Sequence, residues 1–275
     1  MNIYLLKAAT IFYLAGSLLY LYYVAFLKER SAKWGRYILI AGAGVHLAGF
    51  IFRYFEAGYT PITNLFESLS FFSLCTIVIF LIVEARYSMK VLGAFVSPVA
   101  FIFILFSAFV PSAVQTIPPA LQSFWLPVHV MLLFVGDGIF AVAFAAGIIY
   151  LIQEKQLKKK KLGPLMKRLP PLGTLDEINY RCLTFGFPLL TMGIITGSIW
   201  AEYAWGSYWS WDPKETWSLI TWLLYAALLH GRLTVGWRGR KAAILAIVGF
   251  CAVLFTFLGV NLLLPGLHTY ANLAK

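Results

Sequence analysis

Histidine is the residue type in this chain with the clearest capacity for metal chemistry, and the 275 residues contain only four. His129, in LPVHV, and His268, in PGLHTY, stand at the ends of long apolar runs, whereas His46, in AGAGVHLAG, and His230, in YAALLHGR, lie within such runs. Imidazole is the commonest metal ligand, and two imidazoles bind a haem iron from both axial sides. The pattern predicts two histidine pairs for haem iron. A neutral histidine hydrogen-bonded across a helix interface is the alternative for each residue.

A tryptophan-rich segment at 200–217, WAEYAWGSYWSWDPKETW, contains five of the nine tryptophans. An aromatic belt at a membrane interface explains one or two rings at a helix end, but it does not require this density. Large flat aromatic faces, here those of Trp205, Trp209 and Trp211, suit a large flat apolar ligand with a few polar groups. The segment therefore predicts a ligand-binding loop.

The acidic residues of this segment have a structural interpretation as well. Asp212 followed by Pro213, with Glu215 three residues after the cap, is typical of a helix start that carries a capping box. The pattern predicts where the next helix begins. Asp212 also remains a candidate ligand-binding residue because it borders the tryptophans.

The elements that must position these side chains are long apolar runs. The mean hydropathy is +0.80 and only 12% of residues are charged, whereas soluble domains are about a quarter charged. Runs of about 20 residues suit one helical crossing each, and lipid cannot satisfy an open backbone. The sequence predicts an all-α, polytopic domain over 1–275 with about eight transmembrane helices. The predicted spans are 5–27, 37–55, 66–85, 91–110, 127–151, 182–202, 214–231 and 242–264.

The loops predict the orientation of the chain. Of the 22 basic residues, only Lys7, Arg53, Lys214 and Lys275 fall outside the four loops on one side of the membrane. Basic loops face the cytoplasm, so the tryptophan-rich loop and both termini are expected outside. This distribution explains the net charge of +11 without nucleic acid. The long loop at 153–181 is interpreted as a flexible cytoplasmic connector.

Other chemistry is less well supported by the residues. The three cysteines form no C-x-x-C pair, which argues against a disulfide framework or dithiol chemistry in this chain. No nucleophile pattern or phosphate loop is visible, so no catalytic residue is assigned. Asp137, Arg53 and Glu67 are ionisable residues whose roles stay open. For Arg53 the alternatives are a partner for haem propionates and a snorkelling interface residue, and Glu67 is a candidate cap of the third helix.

The segment WGSYWSWDPKETWSLITW followed by YAALLH closely resembles the tryptophan-rich WWD motif of the CcsA/ResC family, which handles haem in system II cytochrome c maturation. LPVHV, GLHTY and PITNLFESL at 61–69 are also similar to this family. The resemblance runs from about residue 37 to 271. The tryptophan motif is very specific, and the other segments support it.

The resemblance implies that haem b, held non-covalently as cargo, is carried across the membrane and presented externally to the Cys-x-x-Cys-His of an apocytochrome c. It implies that the tryptophan-rich loop binds haem, with His129 and His268 as external axial ligands and His46 and His230 as intramembrane ligands. The expected partners are a separate CcsB/ResB-type membrane protein, the apocytochrome and an external thiol reductant. The chain would then be part of a holocytochrome c synthase, a haem lyase, in the bacterial cytoplasmic membrane.

Two other functions remain open from the residues. A haem-binding membrane regulator or scaffold would share the motif without ligation activity. A bis-histidine transmembrane electron carrier would hold two permanent haems, each with a fixed histidine pair. The external histidines flank an aromatic loop, which suits a transient cargo better than a permanent haem.

Overall fold

A computed structural model describes residues 2–114, 116–160 and 169–267, and within these ranges the chain is helical and contains no β-strand. Eight helices are long and apolar enough to cross a membrane. The predicted all-α, multi-pass membrane fold is therefore confirmed. The helices are α1 (Asn2–Phe26), α2 (Glu29–Ala57), α3 (Leu65–Tyr87), α4 (Gly93–Ser107), α5 (Trp125–Lys158), α6 (Leu172–Trp205), α7 (Pro213–His230) and α8 (Arg240–Leu254). A π-helical segment, Phe255–Gly259, continues α8 into a last α-helical turn, Val260–Leu263.

Three helices, α2, α5 and α6, extend beyond their apolar runs into charged sequence. In α5, Lys158 Nζ lies 2.8 Å from Glu154 Oε1, and in α6, Arg181 Nε lies 2.7 Å from Glu177 Oε1. Such pairs, one turn apart, stabilise a helix in polar surroundings, so apolar content alone underestimates its length. The two helices enter the predicted connector from both sides, and residues 161–168 within it lie outside the described ranges.

The contacts divide the chain into two compact units. The first comprises Met1–Thr116 and Leu151–Leu172, and its largest helix interface joins α1 to α2. Gly42 of α2 lies against α1, where an added Cβ would be only 2.7 Å from the Cβ of Phe12. A small residue at this position lets the two helix backbones approach closely, as is common in membrane bundles.

The second unit comprises Ile117–Tyr150 and Gly173–Lys275. In its core, the ring of Tyr225 on α7 stacks on Phe140 of α5, with centroids 3.7 Å apart and planes 9° apart. Gly249 of α8 lies against the same tyrosine, because an added Cβ would be 2.7 Å from its Cζ. This aromatic layer packs α5, α7 and α8 together and so positions the ends of those helices that carry the candidate site.

Candidate functional site

The tryptophan-rich segment is partly helical. α6 ends at Trp205, and Gly206 then adopts a left-handed conformation, with φ of 74° and its N–H bonded to the Glu202 carbonyl. That geometry favours glycine because it has no Cβ. Trp211 is also left-handed, with φ of 60°, which is uncommon for a bulky residue and is found mainly at constrained functional segments. The irregular loop is thus limited to the residues between the two helices.

The predicted capping box at the start of α7 is confirmed. The Asp212 carboxylate accepts from the Lys214 N–H at 3.1 Å, and the Glu215 carboxylate accepts from the Asp212 N–H at 3.2 Å. Glu215 Oε2 also accepts from the Ser210 N–H at 2.8 Å. The two carboxylates therefore cap the helix and hold the loop backbone that precedes it.

Asp212 has a further contact with the end of the described chain. Its Oδ1 accepts from the Leu267 N–H at 2.6 Å, and an added Cβ at Gly266 would lie 2.5 Å from that oxygen. The residue after Leu267 is His268, the predicted external ligand, which lies outside the described residues. One buried carboxylate thus ties the tryptophan loop to the segment that leads to this histidine.

His129, in the first turns of α5, is already oriented by its surroundings. Its Nδ1 lies 2.6 Å from the Gly193 carbonyl oxygen, so this nitrogen carries the hydrogen and donates, and the lone pair of the neutral ring is at Nε2. The ring also occupies the space above Gly197, where an added Cβ would be 2.4 Å from its Cε1. Trp200 lies nearly parallel to it, with centroids 6.2 Å apart and planes 20° apart. Metal-binding histidines are commonly fixed through the other nitrogen in this way.

The predicted tryptophans lie in edge-to-face pairs. Trp205 packs against Trp200 at 5.0 Å and 75°, and Trp209 packs against Trp211 at 5.8 Å and 90°. Trp200 is anchored by its Nε1, which donates to the Ala120 carbonyl at 3.0 Å, whereas Trp211 is 68% exposed. The exposed ring is available to an external ligand, and the inner pair supports the histidine.

A small cavity adjoins these residues. It has a volume of about 70 Å³ and is lined by His129, Gly197, Tyr208, Trp209 and Lys214, among others. Pockets for large organic ligands are usually about 300–1,000 Å³, so a haem-sized ligand requires the loop side chains to move outward. The lining combines an imidazole, aromatic faces, the ammonium of Lys214 and the carboxylate of Glu215. The first three are groups that an iron porphyrin with acidic substituents would contact.

The two intramembrane histidines have different surroundings. His46, in the first unit, is fully buried, with Nδ1 3.1 Å from the Tyr13 hydroxyl and Nε2 2.8 Å from the Ser70 hydroxyl. It therefore has the hydrogen bonds across helix interfaces that the alternative interpretation requires. His230, the last residue of α7 in the second unit, is exposed. Their assignment as ligands stays a prediction, and for His46 it requires one of the two hydrogen bonds to be given up.

The structure also places the ionisable residues whose roles were open. Arg53 and Glu67 form a buried ion pair at 2.8 Å, so Arg53 does not snorkel. Asn64 caps α3 by accepting from the Glu67 N–H at 2.9 Å, and Glu67 itself does not occupy the cap position. Asp137 is buried in the second unit near Tyr225. The charge of Arg53 is balanced within the protein.

Comparison with known proteins identifies the family. The sequence model described as cytochrome C assembly protein matches residues 62–268. The chain is 42% identical over 225 residues to the cytochrome c biogenesis protein CcsA of Chlamydomonas reinhardtii, and 40% identical over 263 residues to that of Synechococcus elongatus. The chain belongs to the CcsA family of cytochrome c assembly proteins. The matched range contains His129, His230 and the tryptophan-rich segment and extends to His268, whereas His46 precedes it.

The lengths of the CcsA relatives differ from that of this chain. The Synechococcus match covers 79% of this chain and 81% of the relative, while the Chlamydomonas match covers 79% of this chain and only 63% of the relative. Among solved structures, the cytochrome c haem lyase CcmF superposes with a TM-score of 0.66 at 20% identity, covering 94% of this chain and 46% of that protein. At this identity, the superposition shows a shared fold.

Several residues that shape the site in this CcsA-family chain were not predicted from its sequence. Gly193 accepts from the imidazole through its carbonyl oxygen, Gly197 leaves the space for the ring, Trp200 lies nearly parallel to it, and Lys214 lines the cavity. The glycines recur one helical turn apart on α6, and Trp200 follows Gly197 by three residues on the same face. That spacing indicates a helix face with room for a ring, but it identifies the site only when a ring from another helix is known to pack against that face.

Proposed function

We propose that the chain acts in cytochrome c biogenesis by taking up haem b as a non-covalent cargo and presenting it for thioether attachment to an apocytochrome c. His129 and His268 are the external axial ligands, and His46 and His230 are the intramembrane ligands. Family membership and the multi-pass fold support this role. The distribution of basic residues over the loops supports an orientation in which the tryptophan loop and both termini face the outside of a bacterial cytoplasmic membrane.

The hydrogen bond from His129 Nδ1 to the Gly193 carbonyl oxygen is the observation that carries the proposal. It fixes the tautomer, leaves the lone pair on Nε2 and raises the basicity of the ring, all of which favour binding of an iron. Gly197 leaves the space that the ring occupies, since an added Cβ would lie 2.4 Å from its Cε1. These contacts support a role for His129 as a ligand that is positioned before the metal arrives.

The remaining groups of the site act on the cargo in different ways. Asp212 accepts from the N–H of Leu267, the last described residue before His268 in the sequence. Lys214 supplies a cation for the acidic substituents of the porphyrin. Tyr208 and Trp209 line the small cavity and must move outward when a large flat ligand enters, after which Trp209 and Trp211 offer it aromatic faces.

The chain then contributes to thioether formation by positioning the haem. Two axial histidines hold the iron, so the vinyl groups of the porphyrin stay available to the thiols of an arriving Cys-x-x-Cys-His segment. The thiols and their reductant come from other proteins, because Cys75, Cys182 and Cys251 all lack a C-x-x-C partner in sequence. A CcsB/ResB-type membrane protein completes the proposed haem lyase.

Binding of haem by the histidines is tested first on the purified protein, using reduced visible spectra and a pyridine haem assay. We expect non-covalent b-type haem in the wild type and less of it in His129→Ala and His268→Ala. His129→Met is the sharper variant, since a thioether in place of an imidazole raises the potential of the haem iron. Tyr203→Ala is a matched aromatic control, because Tyr203 is 73% exposed and does not line the cavity. A well-folded wild type that binds no haem would contradict the proposal.

Attachment is tested by co-expression with a Cys-x-x-Cys-His acceptor and the CcsB/ResB-type partner. Covalent haem on the acceptor that depends on His129 is the expected result. Haem bound to the chain without transfer would instead indicate a regulator or scaffold, and reversible redox cycling of haem that never leaves the chain would indicate an electron carrier.

A further inference from the structure

A second cavity, unrelated to the tryptophan loop, lies in the first unit where α2 begins and α3 ends. Its volume is about 860 Å³, within the range of pockets that hold organic ligands. The wall from α2 contains Arg30, Lys33, Trp34, Tyr37 and Ile40. We call these five residues the α2 stripe. The opposite wall includes Glu84, at the end of α3, and Lys90.

The α2 stripe is one face of the helix. Lys33 and Trp34 lie three and four positions after Arg30, Tyr37 lies three positions after Trp34, and Ile40 lies three positions after Tyr37. This is the spacing of a single helical surface. Trp34 is 53% exposed, Tyr37 is 52% exposed and Ile40 is 46% exposed, while Leu39 on the opposite face is fully buried. The stripe is therefore held outward by the packing of α2 on α1.

The charges around the cavity are not all balanced. Lys90 pairs with Glu29 at 2.6 Å, and Glu84 accepts from the Tyr20 hydroxyl at 2.8 Å and lies 3.9 Å from Arg36. Arg30 and Lys33 have no ion pair or side-chain hydrogen bond to any part of the chain that the structure describes. Two neighbouring cations on one helix face are thus able to bind an anion from outside the chain.

The stripe also changes character along the helix in a fixed order: first basic, then aromatic, then aliphatic. Arg30 and Ile40 are ten residues apart, or about 15 Å along the axis. Each polar zone of a bilayer is about 5–8 Å thick, since about 30 Å of a 40–45 Å membrane is hydrocarbon. A span of this length is sufficient to run from the phosphate zone to the acyl chains, and the order of residue types along the stripe matches the order of those zones.

We propose that this cavity binds an anionic phospholipid, with Arg30 and Lys33 on the headgroup phosphate, Trp34 and Tyr37 beside the glycerol region, and Ile40 against an acyl chain. A basic pocket between helices at the membrane surface is a typical site for such headgroups. A porphyrin with two carboxylates is the other amphipathic anion in reach of this membrane. The described lining contains no histidine, cysteine or methionine to bind an iron, which favours the lipid.

The test uses the full chain in detergent, with native mass spectrometry and titration of dioleoyl phosphatidylglycerol against dioleoyl phosphatidylcholine. We expect one phosphatidylglycerol to be retained, and the Arg30→Gln, Lys33→Gln double variant to lower its affinity about thirtyfold, since each basic residue near the membrane surface contributes about a fivefold effect. Arg30→Lys keeps the charge and should retain most of the affinity. The control is Lys159→Gln, Lys160→Gln, which removes the same charge from exposed positions outside the cavity.

Three results would overturn the proposal. One is equal retention of the two lipids by the wild type. Another is an equal loss in the control double variant, which would show a diffuse electrostatic effect instead of a site. The third is binding of protoporphyrin IX that the Arg30→Gln, Lys33→Gln change weakens while lipid retention is unchanged, which would assign the cavity to a porphyrin. Monodisperse elution and an unchanged unfolding temperature confirm that each variant is folded.

Discussion

Replacing Asp212 with asparagine separates its contact with Lys214 from its contact with Leu267. Asparagine is as good a helix cap as aspartate, but it has one acceptor oxygen where aspartate has two. In the wild type, one oxygen caps α7 at Lys214 and the other accepts from the Leu267 N–H at 2.6 Å. Asp212→Asn should therefore keep the start of α7 and release Leu267, the residue before the predicted ligand His268.

The magnitude follows from the bond that is lost. A hydrogen bond to a charged group contributes about 1.5–3 kcal/mol, and loss of the negative charge at the helix start costs roughly 0.3–1 kcal/mol more. If His268 binds iron only when the segment before it is held, the lost hydrogen bond alone should lower external haem affinity roughly ten- to hundredfold, since about 1.4 kcal/mol is a factor of ten. The lost charge at the helix start lowers stability. Haem titration of the purified variant, followed by its visible spectrum, measures this change.

A matched carboxylate controls for lost stability. Asp176 accepts from Arg232 at 2.7 Å and from the Gly239 N–H at 2.8 Å, within the second unit and away from the tryptophan loop. Asp176→Asn should lower the unfolding temperature at least as much as Asp212→Asn and leave external haem affinity unchanged. An equal loss of haem in both variants would refute the reasoning, because the effect would then follow from stability alone.

Three further changes test other contacts. Gly197→Ala should displace His129 and remove external haem, because the new Cβ would lie 2.4 Å from the ring. Gly173→Ala on the same helix is the control, since its Cβ meets nothing within 4 Å and should leave the haem content unchanged. Normal haem content in Gly197→Ala would contradict the assigned ring position. Arg53→Met should lower the free energy of unfolding by about 3–5 kcal/mol, because it leaves a buried Glu67 carboxylate without its partner. Adding Glu67→Gln should recover part of that loss in denaturant titration. A double variant no more stable than Arg53→Met would argue against the pair. Ser70→Ala removes one hydrogen bond from Nε2 of His46 and should preserve or raise the amount of haem bound at His46. A fall in that amount in the pyridine haem assay would argue against iron binding through Nε2.

The sequence predicted the helices well because their determinants are local. Apolar runs of membrane length and the Asp-Pro-x-Glu pattern are contained in single segments, and the eight spans and the capping box were confirmed. Helix ends were predicted less well. The charged turns beyond the apolar runs, such as that holding Glu154 and Lys158, are helical because of side-chain pairs that hydropathy does not register.

The state of each histidine was beyond sequence reasoning because its partners are distant in the chain. The carbonyl that fixes His129 belongs to Gly193, 64 residues later, and the hydroxyls that bind His46 come from Tyr13 and Ser70, 33 and 24 residues away. No local pattern distinguishes a histidine that donates to a backbone carbonyl from one whose two ring nitrogens both meet hydroxyl groups. That distinction matters for the chemistry, because a carbonyl oxygen can only accept and so fixes which ring nitrogen carries the hydrogen, whereas a hydroxyl can donate or accept and leaves the tautomer open.

Structural and functional interpretations of the Asp212 motif are not alternatives. A helix cap uses one carboxylate oxygen, and the second oxygen remains able to accept from another segment. In this chain the second oxygen accepts from the Leu267 N–H, so the residue that caps α7 also holds the last of the described residues. The helix start and the tryptophan loop are held by the same two carboxylates, those of Asp212 and Glu215. A motif in which the helix cap also holds the adjacent loop is expected wherever a binding loop has to keep a defined shape until its ligand arrives.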